Sequence, residues 1–183
     1  MINPFIIGQK IYLRSPVRGD EKIYALSENH PESRHFLYYA LPTNEEWHWE
    51  QIQKKINDPH TILFTIATKQ PDVPIGNTAF VRIDWVGRMA TFYIAISEKE
   101  NWSKGYGSEA TRLMVKYAFE TINLNRVQLH VSTENQRAVR TYEKIGFSIE
   151  GTLRQAMYFD NRYHDFYLMA ILKEDYLRQQ SRK

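Results

Sequence analysis

The chain has 183 residues, which fits one domain, long enough to bury roughly 70% of its unfolded surface. It contains no cysteine, which excludes disulfides, thiolate metal sites, iron–sulfur clusters and catalysis through an acyl-cysteine. Lys and Arg number 24 against 21 Asp and Glu, a net charge of +3, without the basic stripe that nucleic acid requires.

The small basic excess falls after residue 100, where it would suit one small polyanion. Residues 1–4 lack the charged start and apolar run of a signal peptide. Apolar runs such as 168–172 are too short to cross a bilayer, so a cytoplasmic protein is expected.

In chain order, residues 10–14 alternate, with Ile11 and Leu13 on one face of a short strand. Residues 19–29 are rich in polar side chains. Residues 44–57 read as a helix capped by Thr43 or Asn44, with Trp47, Ile52 and Ile56 as its apolar positions. Between these segments lies Phe36-Leu37-Tyr38-Tyr39, a pocket wall or plain core. Residues 61–68 are rich in β-branched side chains and read as a buried strand. Residues 75–83 and 90–96 are two further strands, joined as a hairpin across Asp84 and Gly87.

The period then changes. Ala110, Leu113, Met114, Tyr117 and Ala118 share one helical face. Val127, Leu129 and Val131 alternate as a strand. Ala138, Val139 and Tyr142 return to helical spacing, and Gly146 supplies the stop. Residues 148–159 and 163–172 are two strands joined at Asp160-Asn161. A strand–helix–strand unit implies a parallel pair, so the class is α+β (mixed α/β), a mixed sheet flanked by helices in a single domain over 1–183.

Two stretches carry chemistry. Trp102-Ser103-Lys104-Gly105-Tyr106-Gly107-Ser108 lies between a strand and a helix. Glycines there let the backbone turn and expose successive N–H groups, and the helix adds its positive end. That suits phosphate oxygens; the alternative is a turn that binds nothing. The nucleotide loop GxxxxGK[ST] is absent. Gly105 to Ala110 fits G-x-G-x-x-A, but that fingerprint belongs after the first strand of a wound parallel sheet, and a hairpin precedes it here. Further on, Asn135, Ala138 and Tyr142 share a helical face. Either a ligand partners the Asn and the Tyr hydroxyl, or Asn135 is a cap and Tyr142 packs in the core.

Taken together, the motifs resemble those of the GNAT superfamily of acyl-CoA-dependent N-acetyltransferases. The family's pyrophosphate loop, Q/R-x-x-G-x-G/A, is similar to Trp102 through Gly107. Its second element, N-x-x-A-x-x-x-Y-x-x-x-G-F, is met at Asn135, Ala138, Tyr142, Gly146 and Phe147. The branch resembled is that of ribosomal-protein alanine and spermidine acetyltransferases, whose last hairpin is similar to residues 161–165 followed by 169–172. The likeness spans about residues 8–177.

This resemblance implies about seven mostly antiparallel strands with a central parallel pair, and about four helices. It implies acetyl-CoA as co-substrate, no metal, and direct transfer to an amine acceptor, either a small amine or polyamine or a peptide N-terminus. Ile94, Ala95 and Ile96 would hold the pantetheine arm and polarise the thioester. Trp102, Ser103, Lys104, Gly105, Tyr106, Gly107 and Ser108 would hold the pyrophosphate, with Asn135 and Ala138 along the arm. Tyr142 would protonate the departing thiolate. A homodimer is common in the branch.

Two positions depart from the family pattern. Trp102 replaces the usual Gln or Arg. Thr91 stands where many relatives carry a glutamate and cannot act as a base. A water chain ending at Tyr93, Asp84, Glu98 or His130 is expected instead. A non-catalytic acyl-CoA sensor on the same fold is the alternative function. Acceptor choice would fall to the segments before residue 60, where Glu28, Glu32, Glu45, Glu46 and Glu50 stand beside Phe36, Tyr38, Tyr39 and Trp47. Carboxylates beside aromatic faces suit a polyamine, although the same carboxylates suit a solvated helix.

Overall fold

A computed structural model of the chain describes residues 3–31 and 41–181; Glu32, Phe36, Tyr38 and Tyr39 lie outside the described residues. One sheet of eight strands runs β1 (Ile6–Ile7), β2 (Ile11–Arg14), β3 (Ile62–Thr68), β4 (Pro74–Asp84), β5 (Met89–Ile96), β6 (Arg126–Ser132), β7 (Ser148–Phe159) and β8 (Arg162–Leu172). Its spatial order is β1-β2-β3-β4-β5-β6-β8-β7. Among the described residues only the central β5–β6 pair is parallel. Five α-helices accompany it among the described residues: α1 (Glu21–Asn29), α2 (Glu45–Ile56), α3 (Tyr106–Lys116), α4 (Gln136–Ile145) and α5 (Lys173–Gln180). The elements beyond expectation, β1 and α5, are too short to display a clear period in sequence.

The main core lies between the sheet and α3 and α4. Ala110, Met114, Val115 and Ala118 meet Val127, Leu129 and Val131 there, as the spacing predicts. A smaller cluster of Tyr24, Ile52, Leu63 and Ala79 sits under α1 and α2. Two local expectations change. β2 is buried on both faces, because Arg14 pairs with Asp20 at 2.6 and 2.8 Å beneath α1. Burial alone would raise the Asp20 carboxyl, but hydrogen bonds from Arg14, Val17 and Thr65 hold it below its usual range. In α2, Asn44 is the cap, accepting from the Trp47 amide at 2.8 Å. The buried face is that of His48 and Ile52, while Trp47 and Ile56 stand largely exposed. A histidine replaces the expected apolar residue because its Nε2 bonds Thr43 Oγ1 at 2.9 Å.

The feature that positions the site is the middle of the sheet. β5 and β6 pair only from Met89 to Thr91 with Arg126 to Gln128. Beyond that, β5 follows β4 as far as Ile96, while β6 follows β8 as far as Ser132. The strands therefore part, and one edge of β5 is left without a neighbouring strand.

Candidate active site

A cavity of about 390 Å³ lies against this free stretch of β5. Ile94, Ala95 and Ile96 form one wall. Trp102, Ser103 and Gly105 form a second, and Gly107 and Ser108 of α3 a third. Asn135, Ala138 and Tyr142 of α4 close it. Eleven of the thirteen residues expected from the motifs thus converge on one space. The remaining two, Lys104 and Tyr106, do not line it with their side chains: the Lys104 carbonyl accepts from Lys10 Nζ at 3.2 Å, and Tyr106 packs on the main core. Their backbone still belongs to the turn that starts α3.

That turn is built by Gly105, whose φ of 89° lies in the left-handed region that glycine enters without strain. Among the described residues no side chain caps α3. Its leading N–H groups, beside the cavity lined by Gly105, Gly107 and Ser108, carry the positive end of the helix dipole. Glu109, in the same turn, is directed elsewhere: its carboxylate accepts from the amides of Gln9 and Lys10 in the β1–β2 turn. Thr111 and Trp102 are held by hydrogen bonds to the Gly107 and Ile96 carbonyls at 2.7 and 2.9 Å.

Across the cavity, Asn135 caps α4 through its Oδ1, which accepts from the Ala138 amide at 3.1 Å. The capping role of Asn135 is therefore real, and its Nδ2 remains available to the cavity. The loop before it is anchored by Glu134, which takes a forked pair from Arg162 at 2.8 and 3.1 Å and lies 3.3 Å from His164 Nδ1. The hydrogen bond from Arg162 leads in holding the Glu134 carboxyl below its usual range.

The Tyr142 ring rests edge-on to Phe92, centroids 6.4 Å apart, and against Phe147 at 5.7 Å. Its hydroxyl makes no hydrogen bond to a described residue, and burial pushes the phenol up to about 12. It is therefore a neutral O–H donor at any ordinary pH.

Asn101, Thr111, Arg137 and Thr141 also line the cavity and were not among the expected residues. Thr111 stands four residues after Gly107 and Thr141 three after Ala138, so helical spacing from the motif positions is the signal that could have found them. Arg137 lies inside the second motif, at one of its variable positions.

Thr91 is buried at the last paired position of β5, with no carboxylate there to accept a proton. Of the four expected proton acceptors, Asp84 binds the amides of Val86 and Gly87, in the hairpin at the far end of β5. Glu98 accepts from Asn101 Nδ2 at 3.2 Å in the exposed turn after β5. Tyr93 and His130 share the sheet face of Thr91 and Gln128, on either side of the gap, since alternate residues of a strand point the same way. Burial and then the Arg82 charge lower the His130 imidazole from its usual value, so it stands neutral at pH 7.

The acidic residues expected to hold the acceptor are partly engaged. Glu46 pairs with Arg18 at 2.9 Å, and Glu28 lies 3.3 Å from His48. Glu45 and Glu50 are exposed on α2.

Residues 10–148 match the acetyltransferase (GNAT) domain family. Spermidine N(1)-acetyltransferase of Vibrio cholerae is 30% identical over 174 residues, covering 94% of this chain and 99% of that one. A crystal structure of the V. cholerae enzyme in complex with CoA and spermine superposes with a TM-score of 0.85 at 29% identity, over 93% of this chain and 99% of that one. A dodecameric structure of the same enzyme gives 0.79 at 28% identity, over 94% and 99%. No helix among the described residues is long and apolar enough to cross a membrane. With both motifs in place around one cavity and the fold matched along nearly its whole length, the chain belongs to the GNAT family of acetyltransferases, enzymes that move an acetyl group from acetyl-CoA to an amine.

Proposed function

We propose that this chain acetylates a primary amine of a polyamine, in a ternary complex with acetyl-CoA bound in the cavity described above. The observation that carries this reading is the meeting, in one space, of an uncapped helix start, an unpaired strand edge and a free phenol. The residues present fit the co-substrate. Amides at the start of α3 would hold its diphosphate, Ile94 to Ile96 its amide-bearing arm, and Asn135 Nδ2 would donate to that arm.

The chemistry follows from proton affinities. An alkylammonium of pKa about 10.4 is neutral only about 0.04% of the time at pH 7, so freeing its lone pair costs about 4.6 kcal/mol. Water in the gap between β5 and β6 takes that proton, with Tyr93 and His130 beside it. As the amine attacks, backbone N–H of β5 stabilises the carbonyl oxygen. The C–S bond then breaks and charge gathers on sulfur. A thiol near 8.5 is more acidic than the Tyr142 phenol, so transfer from the phenol to the thiolate is uphill unless the phenol is reprotonated. Tyr142 donates a hydrogen bond that strengthens as the thiolate forms, and the proton it gives to sulfur is replaced by the second proton that the attacking nitrogen sheds, so that amide, thiol and phenol all end neutral.

The likeness to a spermidine acetyltransferase along nearly both chains supports the polyamine. So do the exposed carboxylates of Glu45 and Glu50 on α2. Acetyl-CoA consumption with spermine, spermidine and an N-terminal peptide tests it. Turnover with the polyamines and none with the peptide is expected; the reverse order refutes the polyamine and gives the acceptor role to peptide N-termini.

A second copy of the chain is the partner we propose for the outer edge of β7. That strand is exposed almost throughout, with Ile149 and Leu153 on it, and an open apolar edge pairs readily. Light scattering should give a mass of at least twice the chain's, and a monomer would refute this.

A further inference from the structure

Among the described residues Arg137 is the one cation lining the cavity, and it reaches from α4 to the loop before α3. Its guanidinium carbon stands 4.8 Å from the centroid of the Trp102 ring. Its Nη1 is 3.4 Å from Ser103 Oγ, a long contact that leaves most of the five N–H donors uncommitted. Trp102 in turn is fixed by its own Nε1 bond to the Ile96 carbonyl. Trp102 thus offers a flat platform, and a cation reaches it from another helix.

A guanidinium held over an aromatic ring by its charge does not spend its N–H donors on that contact, and arginine grips phosphate through a fork of such donors. We propose that Arg137 is a specificity-determining residue for the phosphorylated end of acetyl-CoA. Stacked on Trp102, it binds a phosphate oxygen of the co-substrate. This rests on the reading of the cavity as the acetyl-CoA site.

Trp102 and Arg137 act as one unit in this scheme. Without the ring, the guanidinium would sample many rotamers at an exposed helix start and lose its pre-orientation. The charge alone would then contribute little, because solvent screens it.

The test is calorimetric binding of acetyl-CoA and of its 3′-dephospho form to the wild type and to Arg137→Gln, Arg137→Lys, Trp102→Phe and Trp102→Leu. A charge-assisted hydrogen bond of about 1.5–3 kcal/mol corresponds to roughly ten- to a hundredfold, so Arg137→Gln should weaken acetyl-CoA binding at least tenfold at low salt. Lysine should restore part of this. Trp102→Phe should keep the Arg137 effect, and Trp102→Leu should abolish it, so that the Leu/Gln double variant binds no worse than Trp102→Leu. At saturating acetyl-CoA, kcat with spermine should stay near wild type while KM for acetyl-CoA rises. If the loss on Arg137→Gln disappears with the dephospho form, the 3′-phosphate is the partner; if it persists, the diphosphate is. Equal affinity of wild type and Arg137→Gln for acetyl-CoA overturns the proposal. Failure of the wild type itself to bind acetyl-CoA would instead overturn the reading of the cavity.

Discussion

Gly107→Ala should make the protein more stable and a poorer binder at the same time. Gly107 lies in the first turn of α3, with helical rather than left-handed geometry. A Cβ built there meets only Ile96 Cγ1, at 3.8 Å, an ordinary contact, so the folded chain accepts it without strain. Replacing a helical glycine by alanine stabilises by about 0.5–1 kcal/mol. For a chain of this size each kcal/mol shifts Tm by roughly 2–4 °C, so Tm should rise by about 1–4 °C. The same methyl projects toward Ile96, a wall of the cavity, where a diphosphate must come within about 3 Å of backbone N–H. A carbon in that approach removes one or two charge-assisted hydrogen bonds of about 1.5–3 kcal/mol each, a loss of at least tenfold in acetyl-CoA affinity. Gly107→Val should lose more. Differential scanning fluorimetry without ligand and calorimetry with acetyl-CoA read the two effects separately. If affinity is unchanged while Tm rises, the start of α3 does not hold phosphate. If Tm falls by several degrees, the packing described around Gly107 is wrong.

Three further outcomes are expected. Tyr142→Phe keeps the ring against Phe92 and Phe147 and should lower kcat by about 10²–10⁴-fold with acetyl-CoA affinity and Tm little changed, as steady-state kinetics and fluorimetry would report. Gly76→Ala should lower both Tm and acetyl-CoA affinity, because its Cβ would collide with the Ala95 carbonyl and lie 3.0 Å from Ile96 Cα; overpacking of this kind costs about 1–3 kcal/mol. Burial, then Lys55, pushes His48 down to about 4 in the folded chain, below its unfolded value, so the unfolded state binds the extra proton and stability should fall as pH drops from about 6.5 to 4; His48→Gln should flatten that slope in urea titrations.

Much of the fold was legible because it is written in repeated periods. Val127, Leu129 and Val131 alternate and are buried; Ala110, Met114 and Ala118 step helically and are buried. Where one residue decides, the period misleads. Trp47 and Ile56 look like the inner face of α2, yet His48 goes inside because Thr43 and Glu28 supply its polar partners, and neither is visible as a periodic signal. Arg14 is similar: nothing local reveals that Asp20 and Thr65 will meet it under α1. The site divides the same way. Gly105, Gly107, Asn135 and Tyr142 belong to two compact motifs and could be read off the chain. Arg137 reaches the cavity by stacking on a residue 35 positions earlier in the sequence, a contact that only the fold creates.

The cavity is also an account of what the fold leaves unpaired. A parallel pair must part somewhere if its two strands follow different antiparallel neighbours, and β5 and β6 do so after three residues. The backbone of β5 beyond that point faces no strand, and the helix that follows opens without a side-chain cap. Each such group, if dried without a partner, would cost about 1–3 kcal/mol. Placed around one space, they would serve, as proposed above, as donors and acceptors for an amide-rich arm and an anionic diphosphate. Recognition by backbone, on that proposal, would account for Trp102 in place of a polar side chain in the loop, and Thr91 in place of a glutamate lies outside the cavity lining. On the reading proposed above, side chains would then adjust what backbone has built: Arg137 at the phosphate end, Tyr142 at the sulfur, and the carboxylates of α2 toward the amine.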